Sequence, residues 1–354
     1  MSVTVLIPAH NERDQIAGTI EALRRQTRQP DEIVVVADNC SDDTAAIAAQ
    51  AGAQVVTTIG NTGRKAGAIN QALALILPDA SDNDCVLVMD ADTELSARWI
   101  ETAARELRAH PRAAVGGTYL GKEEAPSLVR QLQLNEFTRA SRLQYRKRST
   151  SVWCLSGTGT MARAAMLREV AASRGTVLPG RPGDVYDPNS CTEDFELTLA
   201  VRSLGYSCVI PRGCESRTEV MPTVRSWFNQ RLRWQHGTLE SLRDYGFTRV
   251  TWGWHGWTRQ GLFHLRFLAQ FLLWFVLVHS LLTTGAAFPP LIVAALVVVY
   301  SERVISVWRA GWRGRILAAL IVPEFLYGCS EGAYLLTAAY QVIRRKPLAT
   351  WGHL

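Results

Sequence analysis

Short apolar runs alternate with longer amphipathic ones through the first half of the chain. VTVLI (3–7), EIVVVA (32–37), AQVVTTI (53–59) and DCVLVM (84–89) predict strands. The segments between them, 12–26, 42–51 and 65–77, predict helices. The strand runs are continuously apolar rather than alternating, which suits strands covered on both faces. Such a βαβα order predicts a parallel sheet with right-handed crossovers, whose ligands bind beyond the carboxyl ends of the strands. Three polar segments each follow a strand: AHNE (9–12), ADNCSD (37–42) and MDAD (89–92).

Beyond residue 110 the pattern loosens. VGGTYLG (115–121) predicts a strand and 127–143 a helix. SGTGT (156–160) is a turn leading to a helix that starts near Met161, and 174–190 is a long loop. EDFELTLAVRSLGY predicts a helix closed by Gly205, and SCVIP (207–211) a strand. Near residue 260 the composition turns apolar. Residues 267–284 and 286–300 form two apolar runs near the roughly 20 residues a membrane crossing needs. A third, 316–340, is interrupted by Pro323, Glu324 and Glu331, so a re-entrant, interfacial or kinked segment is expected there. Basic residues in 309–315 and 343–346, against none in 283–290, orient two crossings with both basic segments in the cytosol. The tryptophans of TWGWHGW (251–257) suit a headgroup layer. These patterns predict a catalytic domain over 1–221, amphipathic interfacial helices over 222–260 and a membrane region over 261–354.

Composition narrows the class. The chain has 354 residues, 38 Lys+Arg against 32 Asp+Glu and a net charge of +6. This modest excess, weighted to the C-terminal half, favours a bilayer surface or an anionic ligand. Without zinc or DNA-binding spacings, it argues against nucleic acid. Seven cysteines with no CxxC spacing fit reduced thiols better than a disulfide framework. No signal-peptide pattern precedes MSVTVLIPAH, so the expected catalytic site is cytosolic.

The chemistry concentrates where apolar runs stop. VLVMDADTEL ends a buried strand on Asp90 and Asp92. Two carboxylates this close repel unless a cation or hydrogen-bond donors lie between them. Asp-X-Asp at a strand end suits a hard divalent cation, with a departing diphosphate completing its shell. A solvated acidic turn reads the same way. Asp38 ends another strand, free to accept from a base or ribose, while Ser41 or Asp42 caps the next helix. Arg64 and Lys65 sit between glycines in NTGRKAGAIN (61–70), where close backbone approach and positive charge suit an anion. Solvated helix-start charges compete with that reading. Thr192-Glu193-Asp194 opens a helix: capping accounts for the first two, and Asp194 remains available as a base. In Gln230-Arg231-Leu232-Arg233-Trp234, Arg233 suits a diphosphate and Trp234 a sugar face. A membrane-surface helix with snorkelling arginines is the bland alternative.

Together these residues resemble the family 2 glycosyltransferases, in particular the membrane-bound synthases of cellulose, chitin, hyaluronan and poly-N-acetylglucosamine. PAHNE (8–12), Asp38, GRKAGAIN, Asp90-Ala91-Asp92, TED and QRLRW occur in the family's order over about residues 1–240. The resemblance implies a GT-A fold, an α/β nucleotide-diphospho-sugar transferase architecture, and a donor commonly UDP-linked. It implies that Pro8, Ala9, His10, Glu12, Asp38, Arg64, Lys65, Asp90 and Arg233 bind the nucleotide-sugar. Asp92 would hold Mg²⁺ or Mn²⁺, and Asp194 would be the general base. Gly157, Thr158, Glu193, Gln230 and Trp234 would line the acceptor path. The expected protein is a multi-pass inner or plasma membrane enzyme acting on a glycan or lipid-linked acceptor. Those synthases have more membrane helices, some preceding the catalytic domain. The difference leaves open a homo-oligomer, an accessory export subunit, addition of one or a few sugars without export, or a non-catalytic nucleotide-sugar-binding subunit.

Overall fold

The computed structural model describes residues 1–122, 127–145, 152–253, 256–284 and 290–345. The chain forms two compact units. The first comprises Met1–Lys122, Leu143–Glu219 and Glu240–Thr251; the second comprises Glu123–Arg142, Val220–Leu239 and Trp252–Leu354.

The first unit is α/β. Its strands are β1 (Val3–Ala9), β2 (Glu32–Ala37), β3 (Gln54–Thr57), β4 (Cys85–Val88), β5 (Glu94–Leu95), β6 (Ala113–Gly116), β7 (Thr118–Gly121), β8 (Thr160–Arg163), β9 (Ser207–Val209) and β10 (Glu215–Thr218). Seven form one sheet in the order β3-β2-β1-β4-β8-β6-β9, and β5-β10-β7 form a second. Helices α1 (Ile16–Arg24), α2 (Thr44–Gln50), α3 (Arg64–Ile76) and α4 (Trp99–Ala109) alternate with the early strands. The predicted parallel order holds for β1, β2, β3 and β4.

Side-chain alternation explains the continuous apolar runs. Val3, Val5 and Ile7 of β1 enter one buried cluster with α1 and α4, while Leu6 enters another with α3 and the later helices. Both faces of the sheet are therefore covered, so residues pointing to either side meet apolar neighbours.

Two expectations change here. Met161 does not start a helix: it lies in β8, antiparallel to both β4 and β6, and α6 (Ala164–Ser173) begins after it. The predicted strand 115–121 breaks at Gly117 into β6 and β7, which belong to different sheets. A Cβ at Gly117 would lie 2.8 Å from the indole nitrogen of buried Trp99 and 3.0 Å from the Cys214 carbonyl. Only glycine lets the chain pass that indole.

The loop 174–190 is fixed from below. Arg174 and Glu196, at 0% and 2% side-chain exposure, form a two-point ion pair. Glu196 lies on α7 (Glu193–Ser203). Arg174 also donates to the carbonyls of Pro179 (2.8 Å) and Val185 (2.6 Å), and the Tyr245 hydroxyl donates to Glu196 (2.5 Å). No disulfide forms among the described residues.

The second unit is helical among its described residues. Its helices are α5 (Leu128–Tyr145) and α8 (Val224–Tyr245), which enter it in part, then α10 (Trp257–Thr284), α11 (Pro290–Ser306), α12 (Gly311–Ala319) and α13 (Ile321–Ile343). A short helix, α9 (Arg249–Trp252), follows α8. Arg231 on α8 pairs with Glu136 on α5 through Nε (3.0 Å) and Nη2 (2.9 Å), and Tyr327 on α13 donates to the same carboxylate. Helices α10 and α13 approach closely at Gly328 and Gly332, one turn apart. A Cβ there would collide with Gln270 and with the Phe267 ring. Small residues four apart allow such backbone approach in apolar surroundings.

Among the described residues, one helix is long and apolar enough to cross a membrane; it lies within Arg249–Thr283, and 6% of its most apolar window is buried. The second expected crossing, 286–300, corresponds to α11, which has 17 residues. Residues 285–289 lie outside the described residues, as do Trp254 and His255 of the tryptophan-rich segment and Lys346 of the basic tail. The interruption expected in 316–340 falls between α12 and α13, at Leu320 with its extended backbone. Pro323 stands in the first turn of α13, where its missing N–H has no intrahelical partner to lose, so the helix runs on through Ile343.

Breaking one side of the Arg174–Glu196 pair leaves a buried charge alone, at a cost of about 3–5 kcal/mol. Glu196→Leu is therefore expected to lower the thermal unfolding temperature markedly. Arg174→Met combined with Glu196→Leu should recover much of the loss; equal loss in single and double variants would refute the pairing.

Candidate active site

Parallel pairing of β2, β1 and β4 puts three polar turns at one end of the sheet: 10–12 after β1, 38–42 after β2 and 89–92 after β4. Asn11 (φ 57°) and Asn39 (φ 50°) take left-handed backbone in two of them, a conformation asparagine tolerates better than most residues. Pro8 and Ala9 end β1; the Ala9 carbonyl accepts the Asp38 N–H at 2.8 Å. His10 donates from Nδ1 to the Asp38 carbonyl at 2.6 Å, with its ring exposed.

Asp38 is buried, and its Oδ1 accepts from Asn61 (2.8 Å), Thr58 (2.8 Å) and Asn39 (3.1 Å). Asn61 also donates to the Arg64 carbonyl (2.8 Å) and accepts from the Gly63 N–H (2.9 Å). It thereby ties Asp38 to the first turn of α3. Its amide fills the space that a Cβ on Gly67 would need. Arg64 begins α3 at φ 56°, left-handed without being glycine, and its guanidinium donates to the Cys191 sulfur at 3.3 Å.

One residue further, Lys65 stands between two acids. Its Nζ lies 2.5 Å from Asp90 Oδ1 and 2.6 Å from Glu193 Oε1. A Cβ built on Gly157 would fall 3.1 Å from that Nζ and 3.6 Å from an oxygen of Asp90 and of Asp194 alike. Asp194 accepts the N–H of Gly157 (3.1 Å) and of Phe195 (2.7 Å). Residues 65, 90, 157, 193 and 194 thus meet at one point from four segments of the chain. Lys65, Gly157, Tyr186, Glu193 and Asp194 line a small cavity there.

The charges do not balance. Burial works against the Lys65 ammonium, but Asp90 and Glu193 outweigh it, so the lysine stays charged. Burial pushes Asp90 up, and Lys65 pulls it only part of the way back. Asp194 is pushed to about 6 by burial and by Glu193, against the pull of Lys65 and its two backbone donors. Glu12 rises to about 7 through burial, then through Asp92, Glu219 and Asp90. One cation is shared among a larger number of acids.

Asp92 lies 3.3 Å from the Thr218 hydroxyl, with Thr93 donating at 3.2 Å. This donor set is hard oxygen, and the mutual repulsion sensed at Glu12 is what a divalent cation would relieve. Oxygen donors of this kind suit Mg²⁺ or Mn²⁺. Thr158 has a different setting: its buried hydroxyl sits in a chain with Ser156 (2.8 Å) and Ser216 (2.7 Å). Gln230, Arg233 and Trp234 lie on α8 in the second unit. There the Arg231 guanidinium stacks over the Trp234 ring at 4.3 Å and donates to the Gln230 side chain.

Sequence reasoning passed over Asn61, Asn70 and Tyr186. Asn70 on α3 accepts the N–H groups of Val185 (3.1 Å) and Tyr186 (2.9 Å) and donates to the Tyr186 carbonyl, fixing Tyr186 beside Lys65. Asn61 before Thr-Gly was legible as a turn former. Nothing in 174–190 marked Tyr186.

This arrangement is that of the GT-A class: an α/β domain with a mixed sheet and an Asp-X-Asp beyond the end of a parallel strand. The family profile "Glycosyl transferase family 2" matches residues 4–171, just under half of the chain. YdaM, a probable glycosyltransferase of Bacillus subtilis (strain 168), is 26% identical over 251 residues, covering 66% of this chain and 54% of its own. The chain therefore spans about half the length of the curated relative it matches. Among solved structures, the mannosyltransferase PcManGT from Pyrobaculum calidifontis, in complex with GDP-Man and Mn²⁺, aligns with a TM-score of 0.56 at 17% identity. The alignment covers 98% of this chain and 88% of that one, a likeness of fold. Glucosyl-3-phosphoglycerate synthase from Mycobacterium tuberculosis, with Mg²⁺ and uridine diphosphate, aligns at 0.45 and 20% identity over 68% of this chain and 79% of its own.

Removing the shared cation tests the electrostatics without any substrate. In Lys65→Met the pKa values of Asp90 and Asp194 should climb further. An acid whose folded pKa is raised stabilises the fold below its unfolded pKa and loses that contribution as pH rises through the folded value. The variant's unfolding temperature should therefore fall more steeply than wild type between pH 4 and 8, each further tenfold weakening of an acid costing about 1.4 kcal/mol. Parallel curves would show that Lys65 does not hold these carboxylates.

Proposed function

We propose that the chain is a membrane-bound, metal-dependent, inverting glycosyltransferase. It moves a hexosyl or N-acetylhexosaminyl unit from a nucleotide-diphospho-sugar, UDP-linked by the family resemblance, to a growing glycan. The observation that carries this reading is the meeting of Lys65, Asp90, Gly157, Glu193 and Asp194 at one point.

In this reading Asp38, oriented by Asn61, accepts from the base, and Asp90 faces the ribose or diphosphate. Asp194 takes the proton of the acceptor hydroxyl. The hydroxyl oxygen then bonds to the anomeric carbon as the bond from that carbon to the diphosphate breaks on the opposite side. Attack from the opposite face inverts the centre, so an α-linked donor gives a β-linkage. A pKa near 6 leaves Asp194 ionised at neutral pH yet more basic than a solvated aspartate, which suits a general base. Arg233 is assigned to the leaving diphosphate. Bound at Asp92, Mg²⁺ or Mn²⁺ would neutralise diphosphate charge.

The acceptor divides into two readings. The motif Gln230-Arg231-Leu232-Arg233-Trp234 supports a polymer-forming synthase. A single helix long and apolar enough to cross a membrane, among the described residues, favours transfer of one or a few sugars to a lipid-linked or cell-envelope acceptor. Sizing labelled product by gel separates the two.

Incubating membranes with labelled UDP-sugars tests the transfer itself. Asp194→Asn is expected to lower kcat by about 10²–10⁴-fold while nucleotide affinity persists. Wild-type turnover would remove Asp194 from the role. In the wild type, log(kcat/KM) should rise with unit slope up to about pH 6 and then level off, because activity requires the ionised form. A rate independent of pH between 5 and 7 would contradict a base with that pKa.

A further inference from the structure

We infer that the segment Trp308–Ala319 is a docking surface for anionic lipid headgroups, resting on the membrane-bound reading above. A three-residue turn of 3₁₀ helix, Trp308–Ala310, leads into α12, and α11 and α13 flank the pair. One side of α12 is buried: Gly314, Leu317 and Ala318 face inward, and the Gly314 carbonyl accepts from Asn135 on α5 at 3.0 Å. A Cβ at Gly314 would stand 2.5 Å from the Asn135 side chain, so the helix is seated against α5 without slack.

The opposite side is unusual for a water-facing surface. Trp308, Trp312 and Ile316, spaced four apart, are 59%, 64% and 54% exposed. Arginines are interleaved with them. Arg315 stacks over the Trp308 ring at 4.0 Å, and Arg313 lies over Trp312 at 5.3 Å. Arg309 and Arg313 are exposed. No acid occurs in the sequence between Glu302 and Glu324, while Arg303, Arg309, Arg313 and Arg315 do.

Each component has one solvent that satisfies it. Indole rings prefer the headgroup layer, where the ring is half dehydrated and the N–H stays wet. Guanidinium groups match phosphate in pairs; Arg315 spends one donor on the Trp308 carbonyl at 3.3 Å, and Arg309 and Arg313 are exposed beside it. A neutral zwitterionic surface would satisfy the tryptophans but would make little use of a stretch this basic. The charge pattern therefore selects an anionic leaflet, and attraction is local because it fades within about one Debye length.

The test uses the full chain reconstituted into phosphatidylcholine vesicles containing brominated phosphatidylglycerol or, in parallel, brominated phosphatidylcholine. Tryptophan quenching is compared between wild type and Trp308→Phe/Trp312→Phe, so that the difference reports these two rings. Wild type should favour the anionic lipid by at least about fivefold at equal mole fraction. The preference should fall to parity in Arg309→Gln/Arg313→Gln/Arg315→Gln and persist in the corresponding triple Lys variant. If the Gln variant does not fold, wild type in about 1 M salt supplies the same comparison, and the preference should collapse. Equal quenching by both lipids in wild type, or a preference untouched by charge removal and salt, overturns the surface while the vesicle-bound protein keeps the membrane reading. Failure of the wild type to float with vesicles of either composition overturns both.

Discussion

Lys65 is the residue that holds the first unit's cluster of acids together. Without it, Asp90, Glu193 and Asp194 would meet with nothing between them but backbone donors. Its ammonium lies within 2.6 Å of two carboxylates. That bridge joins elements far apart in sequence: α3, the turn after β4 and the start of α7. The same contact sets the state of the third acid. Lys65 and two N–H groups hold Asp194 near 6 where burial and Glu193 would drive it higher. Position and basicity are thus fixed by one ion. A lysine suits this role better than an arginine, because a compact ammonium can sit between two acids whose geometries are not parallel.

The parts of this arrangement visible in the sequence were those governed by local periodicity. Runs such as VTVLI and EIVVVA suit strands covered on both faces, and their alternation with helices predicts the crossovers. The acids at their ends follow directly, which is why Asp38, Asp90 and Asp92 were legible. Gly157 was harder. Its position beside Lys65 depends on β8 running antiparallel between β4 and β6, and a four-residue strand after a Gly/Thr turn resembles a helix start. Asn61 and Tyr186 were invisible as site residues for a related reason. Each is placed by hydrogen bonds to backbone elsewhere: Asn61 to Gly63 and Arg64, and Tyr186 through Asn70. Pattern reading assigns residues to elements; it does not say which amide reaches which turn.

In the second unit the limits of motif reading lie in a single pentapeptide. QRLRW offers two arginines, and spacing alone does not distinguish them. The structure gives Arg231 to Glu136 in a two-point pair, beneath Trp234 and near Tyr327. Burying that guanidinium is tolerable because its charge is matched and its donors are used. Part of the motif therefore serves to fasten α8 to α5 and α13.

The same residue type does opposite work a short distance along the chain. Arg231 is 3% exposed and neutralised by a carboxylate, so it adds nothing to the field outside the protein. Arg313 is exposed on a stretch whose sequence carries no acid, and its charge reaches whatever approaches. A net charge of +6 averages over both situations and describes neither. What decides partner choice is where positive charge stands at the surface and what apolar groups lie beside it. By that measure the cleft of the first unit is acidic and calls for a cation. The Trp308–Ala319 face is basic, carries exposed indoles, and calls for phosphate at an apolar boundary. A chain that is only mildly basic on average is thereby fitted for two partners of opposite charge.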